Sequence, residues 1–224
     1  MKIIKQKFWE WVWAARGKHP NEMIASGRPP EEAYMDAIGP DIIGKLGLAA
    51  TDDLLDIGCG GGYFLKAVRP LVNSVTATDK ILSMVERAKK NLAEFPDIEI
   101  FQSDADKIQK KDASYDKILC YSVIQYFMDN AYLAGFFKEI HRLLKPGGRA
   151  LIADIPDKSK FSMEQASRKS NWFPILLSRS TCRWFRKEEI LKYCREAGLH
   201  GEILAQPESL VSHEFRFDLL AVKR

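Results

Sequence analysis

The sequence predicts an α/β fold, and three observations carry that expectation. An apolar strand, a glycine turn and a helix succeed one another near residue 55; further apolar runs alternate with helical stretches down the chain; and 224 residues with 46% hydrophobic content suffice for one domain with a full core. Asp53 to Ile57 reads as a short buried strand, and Tyr63-Phe64-Leu65-Lys66-Ala67-Val68 opens a helix. Gly58, Gly60, Gly61 and Gly62 therefore fall where backbone must approach a ligand closely, and a Cβ there would block the approach or forbid a positive φ.

The glycine spacing narrows the ligand. A dinucleotide fingerprint, G-x-G-x-x-G read from Gly58, needs glycine where Tyr63 stands, so an NAD-linked oxidoreductase is disfavoured. The pattern present is D-x-G-x-G-x-G, formed by Asp56, Gly58, Gly60 and Gly62. It resembles motif I of class I S-adenosylmethionine-dependent methyltransferases. Asp79 then ends the second apolar run, Val75 to Thr78, before a helical stretch from Ile81 to Leu92. A third run, Ile98 to Phe101, leads into Ser103-Asp104-Ala105. Tyr115 to Cys120 resembles the family's fourth strand. Leu143-Leu144-Lys145-Pro146-Gly147-Gly148, with Arg149 to Asp154 behind it, resembles the family's helix, turn and fifth strand. Gly201 to Ala205 and Phe215 to Val222 read as the closing antiparallel pair.

The resemblance covers about residues 50–224 and implies a Rossmann-like seven-stranded sheet in the order 3-2-1-4-5-7-6, the last strand antiparallel, with helices on both faces. The expected organisation is an N-terminal helical extension or lid over 1–48 and a donor-binding domain over 49–224, with a substrate-side insertion at 158–185. The implied donor is S-adenosylmethionine. Asp56 would orient the turn or meet the donor's amino group, and Gly58, Cys59, Gly60 and Gly62 would admit its methionine and ribose parts. Asp79 would hold the ribose hydroxyls, with Lys80 and Ile81 following where a side chain packs on adenine. Asp104 and the Ala105 amide would bind the adenine edge. Arg28 and Tyr34, in the segment that closes over the donor in this family, are further candidates.

On the acceptor side, Tyr121, Gln125 and Tyr126 follow the fourth strand and point toward the methyl group in this architecture. Asp154, at the end of the fifth strand, is the best-placed carboxylate for a general base. His141 reads as structural and His213 as a surface residue. No metal is expected: Asp129-Asn130 resembles part of a catechol-type magnesium site but follows the fourth strand rather than the fifth. The chain lacks Asn/Asp-Pro-Pro-Tyr/Phe after the fourth strand and a Pro-Cys nucleophile, so nucleic-acid bases are disfavoured as acceptors. A small-molecule acceptor methylated at oxygen, anionic or linked to a lipid or a glycan, is the leading expectation. Protein or RNA as acceptor, or donor binding without catalysis, are the rivals.

The net charge of +4 is unevenly spread: residues 1–20 hold five Lys/Arg against one Glu, residues 158–195 ten against three, and the rest is net −7. In the second basic stretch Lys169, Arg179 and Arg183 bracket the apolar run Trp172 to Leu177, which suits a ligand with greasy and anionic parts, or else forms a short core helix. Cys59, Cys120, Cys182 and Cys194 show no CxxC spacing, which points to a reduced, cytoplasmic setting. Residues 2–16 read as an amphipathic helix, with Ile4, Phe8, Trp11, Val12 and Ala15 on one stripe and Trp9 and Trp13 on another face. Packing on the domain, a lid over the substrate pocket, and peripheral contact with a lipid surface are its three readings.

Overall fold

The computed structural model describes residues 2–20, 25, 32–162, 182–210 and 213–224, with backbone alone for 2–3 and 32–37. Its centre is one seven-stranded sheet in the order β3-β2-β1-β4-β5-β7-β6, which matches the expected order. The strands are β1 (Asp53–Ile57), β2 (Ser74–Asp79), β3 (Glu99–Gln102), β4 (Tyr115–Tyr121), β5 (Leu144–Pro156), β6 (Leu199–Ala205) and β7 (Arg216–Lys223). All neighbours pair in parallel except at β7, which runs antiparallel to both β5 and β6.

The central strands β1 and β4 are rich in buried apolar residues because both of their faces are covered. Within β1, Leu55 and Ile57 join a core with Phe136, Phe137 and Ile140 of α5 (Asn130–Leu143) and Ile190 of α6 (Lys187–Glu196). Leu54, one residue before Leu55 and so on the other face, joins the opposite core with Ile38, Ile42 and Leu46 of α2 (Glu32–Leu46) and Leu65 and Val68 of α3 (Leu65–Val68). The period-2 alternation of a strand thus builds two cores from one run of residues. Order reversal between β1 and β4 opens a crevice at the strands' carboxyl ends, where ligands bind in sheets of this kind.

The remaining helices flank that crevice. α4 (Leu82–Asn91) follows β2, and α1 (Lys2–Gly17) packs on α4. The apolar stripe read from sequence is not the packed face of α1. Trp9 is 2% exposed, whereas Ile4 is 72% and Trp11 68% exposed. Ser83 Oγ donates to the Ala14 carbonyl at 3.0 Å and Arg87 Nε to the Gly17 carbonyl at 2.9 Å, holding the carboxyl end of α1 down. Pro146-Gly147-Gly148, expected to break the helix and start the fifth strand, lies within β5, which begins at Leu144 directly after the helix. Among the described residues no helix is long and apolar enough to cross a membrane.

Candidate active site

The donor side is built from the turn after β1. The Gly58 and Cys59 amides donate to the Thr78 carbonyl at 2.7 and 3.0 Å, folding the turn back against β2. Gly58 has φ +78°, and a Cβ there would stand 2.5 Å from Val123 Cγ2, so this position tolerates only glycine. Gly60, at φ +55°, is different: a Cβ would meet nothing within 4 Å, so its open side faces space that a ligand can fill. Asp79 ties turn to strand, Oδ2 accepting from the Gly60 amide at 2.9 Å and Oδ1 from the Ile81 amide at 2.8 Å. Each carboxylate oxygen keeps a lone pair, enough to accept a vicinal diol. Burial pushes the Asp79 carboxyl up, and the two amide bonds partly offset that. Burial, then the Asp79 and Asp56 carboxylates, push the Cys59 thiol well up, so it is no nucleophile. Asp56 itself is 5% exposed at the end of β1.

The acceptor side lies at the ends of β4 and β5, where two non-glycine residues hold left-handed backbone, Ser122 at φ +62° and Asp154 at φ +60°. At Asp154 the cause is a β-bulge. Ile152 pairs with Leu219 and Ile155 with Phe217, so Ala153 and Asp154 together oppose Asp218 alone. Asp218 is fully buried, and its Oδ1 accepts from the Asp154 amide at 2.8 Å and from Gln206 Nε2 at 3.2 Å. Its Oδ2 accepts from Lys45 Nζ of α2 at 2.6 Å, and Lys45 also reaches Asp41 at 2.7 Å. The bulge re-aims Asp154 away from the β7 ladder. Its Oδ2 faces Arg216 NH1 at 3.7 Å, while its Oδ1 is buried with no hydrogen-bond partner among the described residues.

Aromatic rings complete this side. Tyr126 lies 4.6 Å from Trp9 and 5.5 Å from Trp13, centroid to centroid, so α1 roofs the single turn Ile124–Tyr126. Burial drives the Tyr126 phenol far up, with Arg216 and Arg16 nearby only partly offsetting it, so it acts as a neutral hydrogen-bonding group. Gln125 Nε2 donates to Ser122 O and Oγ, both at 2.8 Å. The indole nitrogens of Trp9, Trp13 and Trp184 and Gln125 Oε1 are buried and, like Asp154 Oδ1, lack hydrogen-bond partners among the described residues. Trp9 and Trp13 meet beside Gln125 at Tyr126, and orphaned polar atoms gathered there are what a polar ligand would satisfy.

The structure brings most of the expected residues to this crevice and shows neighbours that spacing alone does not. Lys80 bridges Glu10 of α1 at 3.0 Å and Asp104 at 2.9 Å, joining the N-terminal helix to the Asp104 turn. The Ala105 amide donates to the Tyr132 hydroxyl at 2.9 Å, so Tyr132 of α5, which sequence reasoning missed, shares the position expected for adenine. The open side of Gly62 faces Leu92 and Ala88, making it a helix-packing glycine. Arg183, expected to face an anionic acceptor, is instead consumed within the protein. It pairs with Glu189 at 2.6 Å, donates to the Phe127 carbonyl at 3.3 Å and covers the Phe185 ring. Tyr121 is 9% exposed at the end of β4. Arg28, the Tyr34 side chain, Lys169, Arg179 and residues 163–181 of the expected insertion lie outside the described residues. Among the described residues no group of three or more His, Cys, Asp or Glu is placed to hold a metal ion.

Comparison with known proteins agrees with this geometry. The family model described as a methyltransferase domain matches residues 55–152. The ubiquinone biosynthesis O-methyltransferase of Xylella fastidiosa (strain M23) is 27% identical over 168 residues, 72% of this chain and 66% of the relative. The malonyl-[acyl-carrier protein] O-methyltransferase of Hahella chejuensis is 26% identical over 171 residues, 74% of this chain and 57% of the relative. The chain thus spans less than two thirds of the length of these curated relatives. In fold it resembles the geranyl diphosphate C-methyltransferase of Streptomyces coelicolor, solved with Mg2+, geranyl diphosphate and S-adenosyl-L-homocysteine, at TM-score 0.68 and 17% identity over 98% of both chains. With its glycine turn, its Asp79 and its 3-2-1-4-5-7-6 sheet, the chain carries over residues 55–152 a methyltransferase domain of the class I S-adenosylmethionine-dependent kind.

Proposed function

We propose that the chain methylates an oxygen of a small-molecule acceptor that combines an apolar portion with an anionic or lipid- or glycan-linked group. The donor, S-adenosylmethionine, supplies an electrophilic methyl on a sulfonium. The residues fit it: the open side of Gly60 takes its body, Asp79 its ribose diol, and the Asp104 carboxylate its adenine amine, with the Ala105 amide held by Tyr132. Methyl transfer is an in-line displacement, so the protein's main task is to hold the acceptor oxygen in line with the methyl. Tyr126, Gln125 and Tyr121 wall the acceptor, and Trp9 and Trp13 exclude water above it.

The observation that carries the oxygen assignment is Asp154. A hydroxyl is a poor nucleophile until its proton is drawn off, and Asp154 offers a buried carboxylate oxygen without a hydrogen-bond partner among the described residues, set by a backbone bulge. The O-methyltransferase names of the two curated relatives support the same atom. The test is labelled methyl transfer to a panel of hydroxylated acceptors bearing apolar and anionic groups. Asp154→Asn is expected to lower kcat by about 100-fold or more with S-adenosylhomocysteine affinity unchanged. Full kcat in that variant, or product methylated at carbon or nitrogen, contradicts the reading.

A further inference from the structure

α1 is apolar on two opposite sides, and only one of them is covered. The inner side is closed by Trp9 and Trp13 on Tyr126 and by the bonds from Ser83 and Arg87. The outer side carries Ile4, Phe8, Trp11 and Ala15 at spacings of four, three and four, one face of a 3.6-residue helix. Ile4 and Trp11 are the two most exposed of the described large hydrophobic residues, at 72% and 68%, and Ala15 is exposed beside them. The outer face of a helix packed on a water-facing domain is normally polar. Here the charge sits at its margins, on Lys5, Lys7 and Lys18, none of which is ion-paired among the described residues.

The charge balance names the partner. Residues 1–20 hold five cations against one anion, net +4 within twenty residues, so this helix and its flank form one of the chain's two basic segments, beside residues 158–195. Exposed tryptophan and isoleucine bordered by lysines suit the headgroup layer of an anionic bilayer, where the indole straddles the apolar boundary and the lysines meet lipid phosphates. A second copy of the helix would instead bring like charges together. α1 has 16 residues, short of the ~20 that a span needs, so it would lie in the plane of the surface.

We infer that the outer face of α1 docks this protein on anionic lipid bilayers, which goes beyond the proposed reaction and does not depend on the acceptor's identity. Since the inner face of the same helix roofs Tyr126, docking would set the acceptor side of the crevice against the membrane, within reach of a lipid-linked acceptor.

The experiment is co-sedimentation of the full chain with vesicles of phosphatidylcholine alone and of phosphatidylcholine mixed equally with phosphatidylglycerol, at low and at high salt. Binding to the mixed vesicles only, weakened by salt and reduced about tenfold or more in Trp11→Ser and in Lys5→Glu/Lys7→Glu, is the expected result. S-adenosylhomocysteine affinity, measured on the same samples, should be unchanged in the variants, which separates lost docking from lost folding or a failed donor site. Absence of binding to anionic vesicles, equal binding by Trp11→Ser, or a Trp11-dependent dimer that ignores vesicles would overturn the inference.

Discussion

At the scale of single residues, Asp79 does the most with one side chain: it closes the glycine turn and keeps a lone pair on each oxygen for the proposed donor. Its burial gives a pH signature. A carboxyl raised above its ordinary 3.8 holds its proton more tightly in the folded chain. Its contribution to stability is therefore full below the ordinary value and is lost as pH rises through the raised one. Donor binding runs the other way, because only the carboxylate accepts from both amides and both ribose hydroxyls. Affinity for S-adenosylhomocysteine is therefore expected to fall on acidification at a pH above the ordinary aspartate range, and Asp79→Asn to abolish that step; calorimetric titration across pH checks both. Asp79 was legible in the sequence because an acid at a strand end after a glycine turn is a local pattern. Tyr132 on the Ala105 amide and Glu189 on Arg183 were not, since partners 27 and 6 residues away meet only through the tertiary packing of α5 and α6.

At the scale of elements, α1 shows what periodicity reports and what it leaves open. The spacing of Ile4, Phe8, Trp11, Val12 and Ala15 marked an apolar face, and the helix forms over Lys2–Gly17. With apolar residues on both sides, however, the pattern could not say which side packs. The deciding feature is Gly17, whose missing Cβ lets the helix meet Ser83: a Cβ would stand 2.9 Å from the Ser83 carbonyl carbon. Helix propensity alone favours alanine over glycine, so Gly17→Ala separates the two effects by sign. The clash is expected to dominate, lifting the end of α1, lowering stability by about 1–3 kcal/mol and exposing α1 to protease. An unchanged or higher urea midpoint with full protection would show that the close approach carries no weight. The bulge at Asp154 was likewise invisible beforehand, because it depends on the register of β5 against β7 rather than on either strand's composition.

At the scale of the whole molecule, the strand order and the crevice were legible because four motifs occur in the right sequence order, each anchored by backbone chemistry: the glycine turn, Asp79, Asp104-Ala105 and Pro146-Gly147-Gly148. The acceptor side was legible only in part. Tyr121, Gln125, Tyr126 and Asp154 lie at the ends of β4 and β5 as expected, whereas the aromatic roof comes from a helix more than 100 residues earlier in the chain. The most direct test of the account is calorimetric titration of the purified protein with S-adenosylmethionine, S-adenosylhomocysteine and NAD, with Asp79→Ala alongside. The account predicts binding of both sulfur ligands, lost by tenfold or more, about 1.4 kcal/mol, in the variant, and no binding of NAD. Binding of NAD alone, or sulfur-ligand affinity indifferent to Asp79, would contradict it.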